Sequence, residues 1–422
     1  MKPFKLLLNI CIIFMVVFPY GKIGPLPIKF MLLLLMSWAG CLTLFLINKK
    51  IRFDLLLFLF FFSFVFPMIW LLVGVLNSNP LSNIIDFVNV FPLLSILFFV
   101  YILYDKESFK GFLHLMIYSI SLIAFFTIIL FVVYMFLDPV NRALVSRFLL
   151  PSGLGSNIYI TSTGLVRIIL RSNVFLPVNL FMLLAVMRYD GNAKWKALFL
   201  VNFVASFIGF NKAFYLGLFL AIIFFLIFEG RFRLMRPLIK DPLLKVMIFM
   251  LAIIVVSPLI YKAVGEALEG MDMSSFSNSI RFEQAEFLFD NIERAPLWGG
   301  GFGVMGKNYR NVQYTRDFTN SKYFELEYLH LLFQLGFLGF LLFGIFLILP
   351  VFIYFYDHNR FGPNRYLCSA VISGYVAYLF YAGTNPYIMG SSGFVMIITA
   401  YLVVIFSKRY SSIGILASSE GN

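Results

Sequence analysis

The chain is built from apolar runs of about 16–26 residues, separated by short segments that carry charged residues or Pro, Gly and Asn. A helix needs roughly 20 apolar residues to cross a bilayer. The composition agrees, because 61% of the residues are hydrophobic and only 13% are charged. A folded core cannot hide that much apolar surface from water. The sequence therefore excludes a soluble enzyme, a fibrous protein and a disordered chain, and predicts that lipid is the solvent for most residues.

These runs predict an all-α fold, a single integral membrane domain over residues 1–422 with about twelve transmembrane helices. The first run follows two lysines like a signal peptide, but it lacks an A-x-A cleavage site, so we expect a retained span. Only Asn211 and Lys212 separate the seventh and eighth runs, which makes that division the weakest. The predicted spans are 4–20, 30–47, 55–76, 87–104, 112–137, 172–187, 197–210, 213–228, 246–261, 328–356, 366–384 and 390–406.

Lysine and arginine residues predict the orientation of these spans. The short loops 48–54 and 229–245 are basic, which favours a cytoplasmic position and places both termini inside. Two long segments then lie outside: a loop at 138–171, and a large loop at 262–327 with an amphipathic helix. Loops of this length in a compact protein are usually functional, so we expect the outer face to be the working face.

The sequence lacks the usual signals of ion-coupled transport, of ATP hydrolysis and of metal catalysis. No charged residue lies clearly inside a predicted span, and the chain has no phosphate-binding P-loop, no H-E-x-x-H and no inverted hydropathy repeat. Its three cysteines, Cys11, Cys41 and Cys368, lie in apolar runs. The net charge of +13 is typical of contact with anionic lipid. We therefore expect membrane lipids as partners, with no metal, no cofactor and no nucleic acid.

Arg281 stands out in the large outer loop. Residues 279–294 have helical periodicity, with Ser279 as the expected cap, and Arg281 falls in the middle of the apolar stripe. A guanidinium there either snorkels at the helix end or is buried against an anion. The glycine-rich run 299–303 follows, and it favours equally a close approach of backbone to a ligand and a flexible turn.

Acidic residues begin the next span. Helical periodicity from Glu325 onward places Glu327, His330 and Gln334 on one face and Glu325 nearly opposite. Glu325 suits either a base that binds an acceptor hydroxyl or a helix-start acid favoured by the helix dipole, and His330 favours an ordinary interfacial position.

Cations and aromatic rings complete the outer set. Arg167 and Arg171 are four residues apart where a span begins, and they could grip a diphosphate or anchor the helix to lipid phosphate. Lys212, between two spans, is a candidate for anion contact or a plain interfacial residue. Aromatic rings that could stack on sugar faces are Trp298, Tyr323 and Tyr328. This set suits a substrate with sugars and a phosphate leaving group.

Three segments resemble the bacterial O-antigen polymerases and O-antigen ligases. Ser206-Phe-Ile-Gly-Phe-Asn-Lys212-Ala is similar to a ligase-type Ser-Arg motif, with Asn-Lys in place of Ser-Arg. Arg281 followed by the run from Ala295-Pro296 to Gly303 resembles the family's arginine and its Pro-Leu-x-Gly-x-Gly run. Glu325-Leu-Glu-Tyr-Leu, with Gly336 downstream, resembles a stretch in which ligases carry histidine at the place of Glu325.

The resemblance implies a metal-independent glycosyltransferase in the bacterial inner membrane. It would polymerise undecaprenyl-diphosphate-linked repeat units into O-antigen on the periplasmic face, a step of lipopolysaccharide biosynthesis. Arg281, Arg171, Arg167 and Lys212 would bind the diphosphate, and Glu325, Glu327 and Arg281 would be catalytic. It leaves open a chain-length regulator protein as a partner. The alternatives are an O-antigen ligase, a flippase or other transporter of lipid-linked oligosaccharides, and a non-catalytic partner in polysaccharide assembly.

Overall fold

A computed structural model describes residues 2–18, 53–138, 140–142, 144–145, 156–160, 166–208, 212–228, 273–306, 324–383, 385 and 387–416. Almost all of this part is helical. The α-helices are α1 (Lys2–Val17), α2 (Phe53–Phe60), α3 (Phe66–Leu76), α4 (Leu81–Val88), α5 (Ser95–Leu103), α6 (Lys106–Phe136), α7 (Leu176–Tyr189), α8 (Ala193–Ile208), α9 (Lys212–Phe228), α10 (Met273–Ile292), α11 (Glu327–Tyr356), α12 (Arg365–Ala382) and α13 (Ser391–Arg409). A π-helical turn (Phe61–Val65) joins α2 to α3, and 3-10 turns lie at Phe91–Leu94, Arg171–Phe175, His358–Arg360 and Gly362–Asn364.

Many of these helices are long and apolar enough to cross a bilayer. Six meet that condition: Leu57–Leu76, Leu81–Leu103, Lys106–Phe136, Arg171–Tyr189, Glu327–Tyr356 and Ser391–Arg409. Two shorter apolar helices, Pro3–Val17 and Ala213–Phe228, accompany them. The protein is therefore a multi-pass membrane protein. Ten predicted spans coincide with described helices, and the predicted spans 30–47 and 246–261 lie outside the described residues. The count of twelve stays a prediction.

A small sheet adds to the all-helical fold that the sequence predicts. β1 (Ser156–Ile160) pairs antiparallel with β2 (Val166–Leu170), with Ser156 opposite Leu170. The sheet lies inside the predicted loop 138–171. Both strands contain two isoleucines, and β2 begins with Val166; β-branched residues favour extended backbone over helix. The sequence signal for this hairpin was present, although the prediction treated the whole segment as a loop.

Contacts group the helix ends into two sets. At one end, Lys5 at the start of α1 donates to Ser108 (2.7 Å), and Tyr189 at the end of α7 donates to the Pro363 carbonyl. At the other end, Ser172 donates to the Val17 carbonyl, where α1 finishes (3.3 Å). The end of α3 and the starts of α11 and α13 also lie at this second end, which we name the site end.

A polar network joins three helices inside the bundle. The amide nitrogen of Asn179 in α7 donates to Ser121 in α6 (3.2 Å) and to Asn202 in α8 (2.8 Å). Asn202 in turn donates to Ser121 (2.8 Å). All three side chains are buried. Such interhelical hydrogen bonds stabilise membrane bundles, which accounts for the polar residues in otherwise apolar spans.

We expect Asn202→Leu to lower the free energy of unfolding by roughly 1–2 kcal/mol, because it removes the bonds between α8 and its neighbours. Thermal unfolding of the purified protein in detergent measures the change. Leu200→Ala, at an exposed position of the same helix, is the control. An Asn202→Leu variant as stable as the parent would show that the network contributes nothing.

Candidate functional site

The site is built around a break in α11. Gly336 has φ +62° and ψ −176°, so the helical hydrogen bonding is interrupted there. Residues 296–303, which we name the glycine loop, pair with the freed backbone groups. Gly300 and Gly301 donate to the carbonyls of Phe333 (2.9 Å) and Gln334 (2.8 Å). The carbonyls of Pro296 and Leu297 accept from the amides of residues 337 (2.7 Å) and 338 (3.1 Å). A broken span is tolerated in a bilayer only when other protein groups satisfy its backbone, and the glycine loop does so.

The glycine loop also packs against α3. A side chain at Gly301 would overlap the backbone of Gly74, and Gly301 has φ +78°. The indole nitrogen of Trp70 donates to the carbonyls of Trp298 (3.1 Å) and Leu335 (2.8 Å). Asn79 donates to the Gly300 carbonyl (2.8 Å). The glycines therefore serve close backbone packing, which a flexible turn does not describe, and the approach of this backbone to a ligand stays a prediction.

Helix α10 carries the predicted arginine. It begins at Met273, so Ser279 lies inside the helix and the predicted cap is wrong. The Ser and Asn residues within 274–279 form the first two turns of this helix. The buried stripe of α10 contains Gln284 and Leu288, and both are 0% exposed. Arg281 precedes them by one and two turns, as the periodicity predicts.

Arg281 and Glu325 form an ion pair at the centre of the site. Nε of Arg281 donates to Oε2 of Glu325 at 2.8 Å, and their side chains are 26% and 11% exposed. Of the two alternatives for Arg281, the structure shows contact with an anion. The two residues are 44 positions apart in the chain. A partly buried guanidinium and carboxylate in hydrogen-bond contact can hold an anionic group and exchange a proton within one site.

Glu325 lies outside the helix. α11 begins at Glu327 with Leu326 as its N-cap residue, so the helical phase predicted for Glu325 is wrong. The backbone N–H of Glu325 donates to Oε1 of Gln284 at 2.9 Å. The ring of Phe324 stacks on Phe287 of α10, with centroids 6.0 Å apart. Two successive residues of the chain before α11 are therefore held by α10.

Glu327 occupies a different environment. It is buried, and its two oxygens accept the backbone N–H groups of Ile388 and Met389, each at 2.9 Å. Glu327 therefore joins the start of α11 to the segment before α13. Arg171 also lies at the site end, because the neighbouring Ser172 donates to the Val17 carbonyl.

The polar face that periodicity predicts for α11 is present. Glu327, His330 and Gln334 are all buried, and the Gln334 amide nitrogen lies 2.9 Å from Nε2 of His330. The His330 ring packs between Phe87 (5.7 Å) and Phe324 (5.0 Å). This row is buried within the protein and does not face the aqueous interface that the sequence favoured for His330.

We expect Glu327→Gln to lower the free energy of unfolding by roughly 1–3 kcal/mol, because an amide nitrogen cannot accept one of the two N–H groups. Thermal unfolding in detergent measures the effect. Glu325→Gln, which keeps its backbone bond to Gln284, is the matched control and should unfold near the parent temperature. Equal melting temperatures for Glu327→Gln and the parent protein would contradict this role.

The remaining predicted site residues are distributed around this end. Lys212 is the first residue of α9 and Arg167 lies in β2. Arg171 directly follows this strand. Strand backbone rises about 3.3 Å per residue, so the spacing of four residues between Arg167 and Arg171 does not place them on one helix face. Trp298 is 49% exposed, with its ring 6.2 Å from that of Trp70. Tyr328 donates to the Leu379 carbonyl (2.6 Å).

Tyr323 lies outside the described residues. The roles given to all of these residues stay predictions. Among the described residues, no three His, Cys, Asp or Glu side chains form a group that could hold a metal ion.

Two residues that help to build the site, Gln284 and Trp70, are not predicted by the sequence analysis. Gln284 has a usable signal, because a polar residue one turn after Arg281 falls in the apolar stripe of an amphipathic helix. Trp70 has none, since an indole in an apolar span is expected from its hydropathy alone. Its hydrogen bonds depend on a helix break in a distant part of the chain.

Residues 197–344 match a family model described as O-antigen ligase. The matched range contains the Ser206–Lys212 segment, Arg281, the glycine loop and Glu325. This match supports the O-antigen polymerase/ligase family, whose members are glycosyltransferase-like enzymes. No match was found among curated proteins or among solved structures.

Proposed function

We propose that this chain, which carries an O-antigen ligase-type domain, is an O-antigen polymerase of the bacterial inner membrane. It transfers a growing glycan from undecaprenyl diphosphate to a hydroxyl of the next lipid-linked repeat unit. The reaction takes place on the periplasmic face and needs no metal. The observation that carries the proposal is the Arg281–Glu325 ion pair, which joins a phosphate-binding group to a proton acceptor within the matched range.

The proposed reaction exchanges one glycosidic bond for another. The acceptor oxygen forms a bond to the anomeric carbon of the donor sugar, and the bond from that carbon to undecaprenyl diphosphate breaks. The diphosphate leaves with the electron pair, and the hydroxyl proton passes to Glu325. Arg281 stabilises the negative charge of the leaving group.

The ion pair also links binding to chemistry. Without substrate, the guanidinium of Arg281 is engaged by Glu325. Phosphate oxygens compete for the same guanidinium when a diphosphate binds. Glu325 is then released to accept the hydroxyl proton. Three more cations, Arg167, Arg171 and Lys212, would extend the binding of the diphosphate. The aromatic rings of Trp298, Tyr323 and Tyr328 would bind the sugars.

Two other functions remain as alternatives. A ligase would use the same donor but join it to lipid A core. The carboxylate at position 325, where ligases carry histidine, favours a polymerase. A flippase or other transporter should place its charges in the middle of the bundle, whereas here the Arg281–Glu325 pair precedes the start of α11. Membrane lipids and a chain-length regulator protein are the proposed partners.

A gel of surface polysaccharide from a strain that lacks this gene separates these functions. We expect the ladder to collapse to core with a single repeat unit, and the restored gene to return the full ladder. Loss of every repeat unit from the core would indicate a ligase or a transporter. An unchanged ladder would contradict a role in this pathway.

A further inference from the structure

Two side chains of α10 hold Glu325 from adjacent helical turns. Arg281 contacts its carboxylate at 2.8 Å, and Gln284, three residues later, accepts its backbone N–H at 2.9 Å. Residues three apart on a helix lie on the same face. One helix surface therefore fixes both the side chain and the backbone of a single residue.

The backbone around Glu325 depends on this contact. Residues 324–326 precede α11 and are not helical, and the N-cap residue Leu326 makes no side-chain hydrogen bond to the helix. The backbone from which the Glu325 side chain extends is held by contacts with α10. These contacts include the stack of Phe324 on Phe287 and the bond from the Glu325 N–H to Gln284.

The chemistry of Gln284 is unusual for a packing residue. Its side chain is 0% exposed, and the oxygen must face Glu325, because a backbone N–H needs an acceptor. Within the described part of the chain, the amide nitrogen has no hydrogen-bond partner. Burial of an amide with an unpaired nitrogen is unfavourable. Its hydrogen bonding is therefore concentrated in the one bond to Glu325.

We infer that Gln284 is a positioning residue that sets the orientation of Glu325 for proton acceptance. The inference rests on the proposed role of Glu325 in glycosyl transfer. When a diphosphate displaces Glu325 from Arg281, the bond to Gln284 keeps its backbone in place. The carboxylate is then released without moving away from the acceptor hydroxyl. Gln284 therefore affects kcat through the position of Glu325, and it does not itself bind substrate.

The test uses full-length protein in proteoliposomes with lipid-linked repeat units extracted from the gene-deletion strain. Gln284→Met keeps the approximate size of the side chain but removes the oxygen that accepts the Glu325 N–H. Gln284→Ala removes the same oxygen with a smaller side chain, so that any steric clash of the methionine is avoided. Leu288→Ala is the packing control, because Leu288 is equally buried one turn further along α10 and belongs to one apolar cluster with Phe324 and Phe333. Rates are expressed per amount of monodisperse protein, and thermal unfolding is measured for each variant.

Both Gln284 variants should lower kcat roughly 10- to 100-fold and leave KM within about twofold, since a small displacement of a catalytic group costs turnover. Compared with the Gln284 variants, Leu288→Ala should show a larger decrease in melting temperature and a smaller decrease in kcat. The inference is overturned if the Gln284 variants keep the parent kcat, or if Leu288→Ala loses as much. Full activity of Glu325→Gln, or no chain growth by the parent protein, would instead remove the proposed function on which this inference rests.

Discussion

Substitution of Arg281 by alanine is expected to stop chain growth and to leave the protein in the membrane. The change removes the guanidinium that contacts Glu325 and that, in the proposed reaction, stabilises the leaving diphosphate. Loss of a preorganised charge of this kind lowers turnover roughly 10²–10³-fold. The surface polysaccharide of a gene-deletion strain that expresses the variant should show core with one repeat unit.

A second substitution at position 281 distinguishes the charge of the arginine from the shape of its guanidinium, and an exposed arginine provides the control. Arg281→Lys keeps the positive charge but loses the planar guanidinium, so it should restore only a small part of the ladder. Arg294→Ala, at an exposed position just after α10, is the matched control and should give full-length chains. Equal amounts of each variant in the membrane fraction must be shown by immunoblot. Full-length chains from Arg281→Ala would rule out its proposed role.

Substitution of Gly301 by alanine should strongly destabilise the site end, although it adds only one methyl group. The new Cβ would overlap the backbone of Gly74, and the φ of +78° at this position is unfavourable for a residue with a side chain. Backbone strain and overpacking together cost roughly 2–6 kcal/mol. We expect less protein in the membrane, a lower melting temperature in detergent and loss of chain growth.

Gly344→Ala is the matched control, because a Cβ there meets nothing within 4 Å. Alanine is the better helix former, so this variant should be at least as stable as the parent. The comparison also distinguishes packing from ligand approach as the reason for the glycine loop. If Gly301→Ala is as stable as the parent yet inactive, ligand approach is favoured and the packing explanation is wrong.

The sequence predicted the helical elements well because hydropathy in a membrane protein reports a single strong constraint. The boundaries of α11 and α13 were found within about three residues, since charged and polar residues mark where apolar runs begin. Periodicity alone also placed Glu327, His330 and Gln334 on one face of α11, but it did not show that this face is buried. Periodicity could not show that α11 is broken at Gly336, because hydropathy is insensitive to backbone angles.

The contacts of the candidate site were only partly accessible from sequence. Arg281 could be selected because it interrupts an apolar stripe, but its partner Glu325 lies 44 residues away. The close packing of the glycine loop could not be predicted from sequence, because its partners Gly74 and Gly336 are distant in the chain. Periodicity separated Glu325 from Glu327 but could not show their partners: Glu325 contacts Arg281, and Glu327 accepts two backbone N–H groups. Such differences arise from tertiary packing.

The most direct test of the central claim is elongation by the purified protein in proteoliposomes. Lipid-linked repeat units from the gene-deletion strain serve as both donor and acceptor, and products are separated by gel with EDTA present throughout. We predict a ladder from the parent protein and only unextended repeat units from Glu325→Gln, with Glu286→Gln, exposed on α10, as active as the parent. A full ladder from Glu325→Gln, or no ladder from the folded parent protein, would contradict the account.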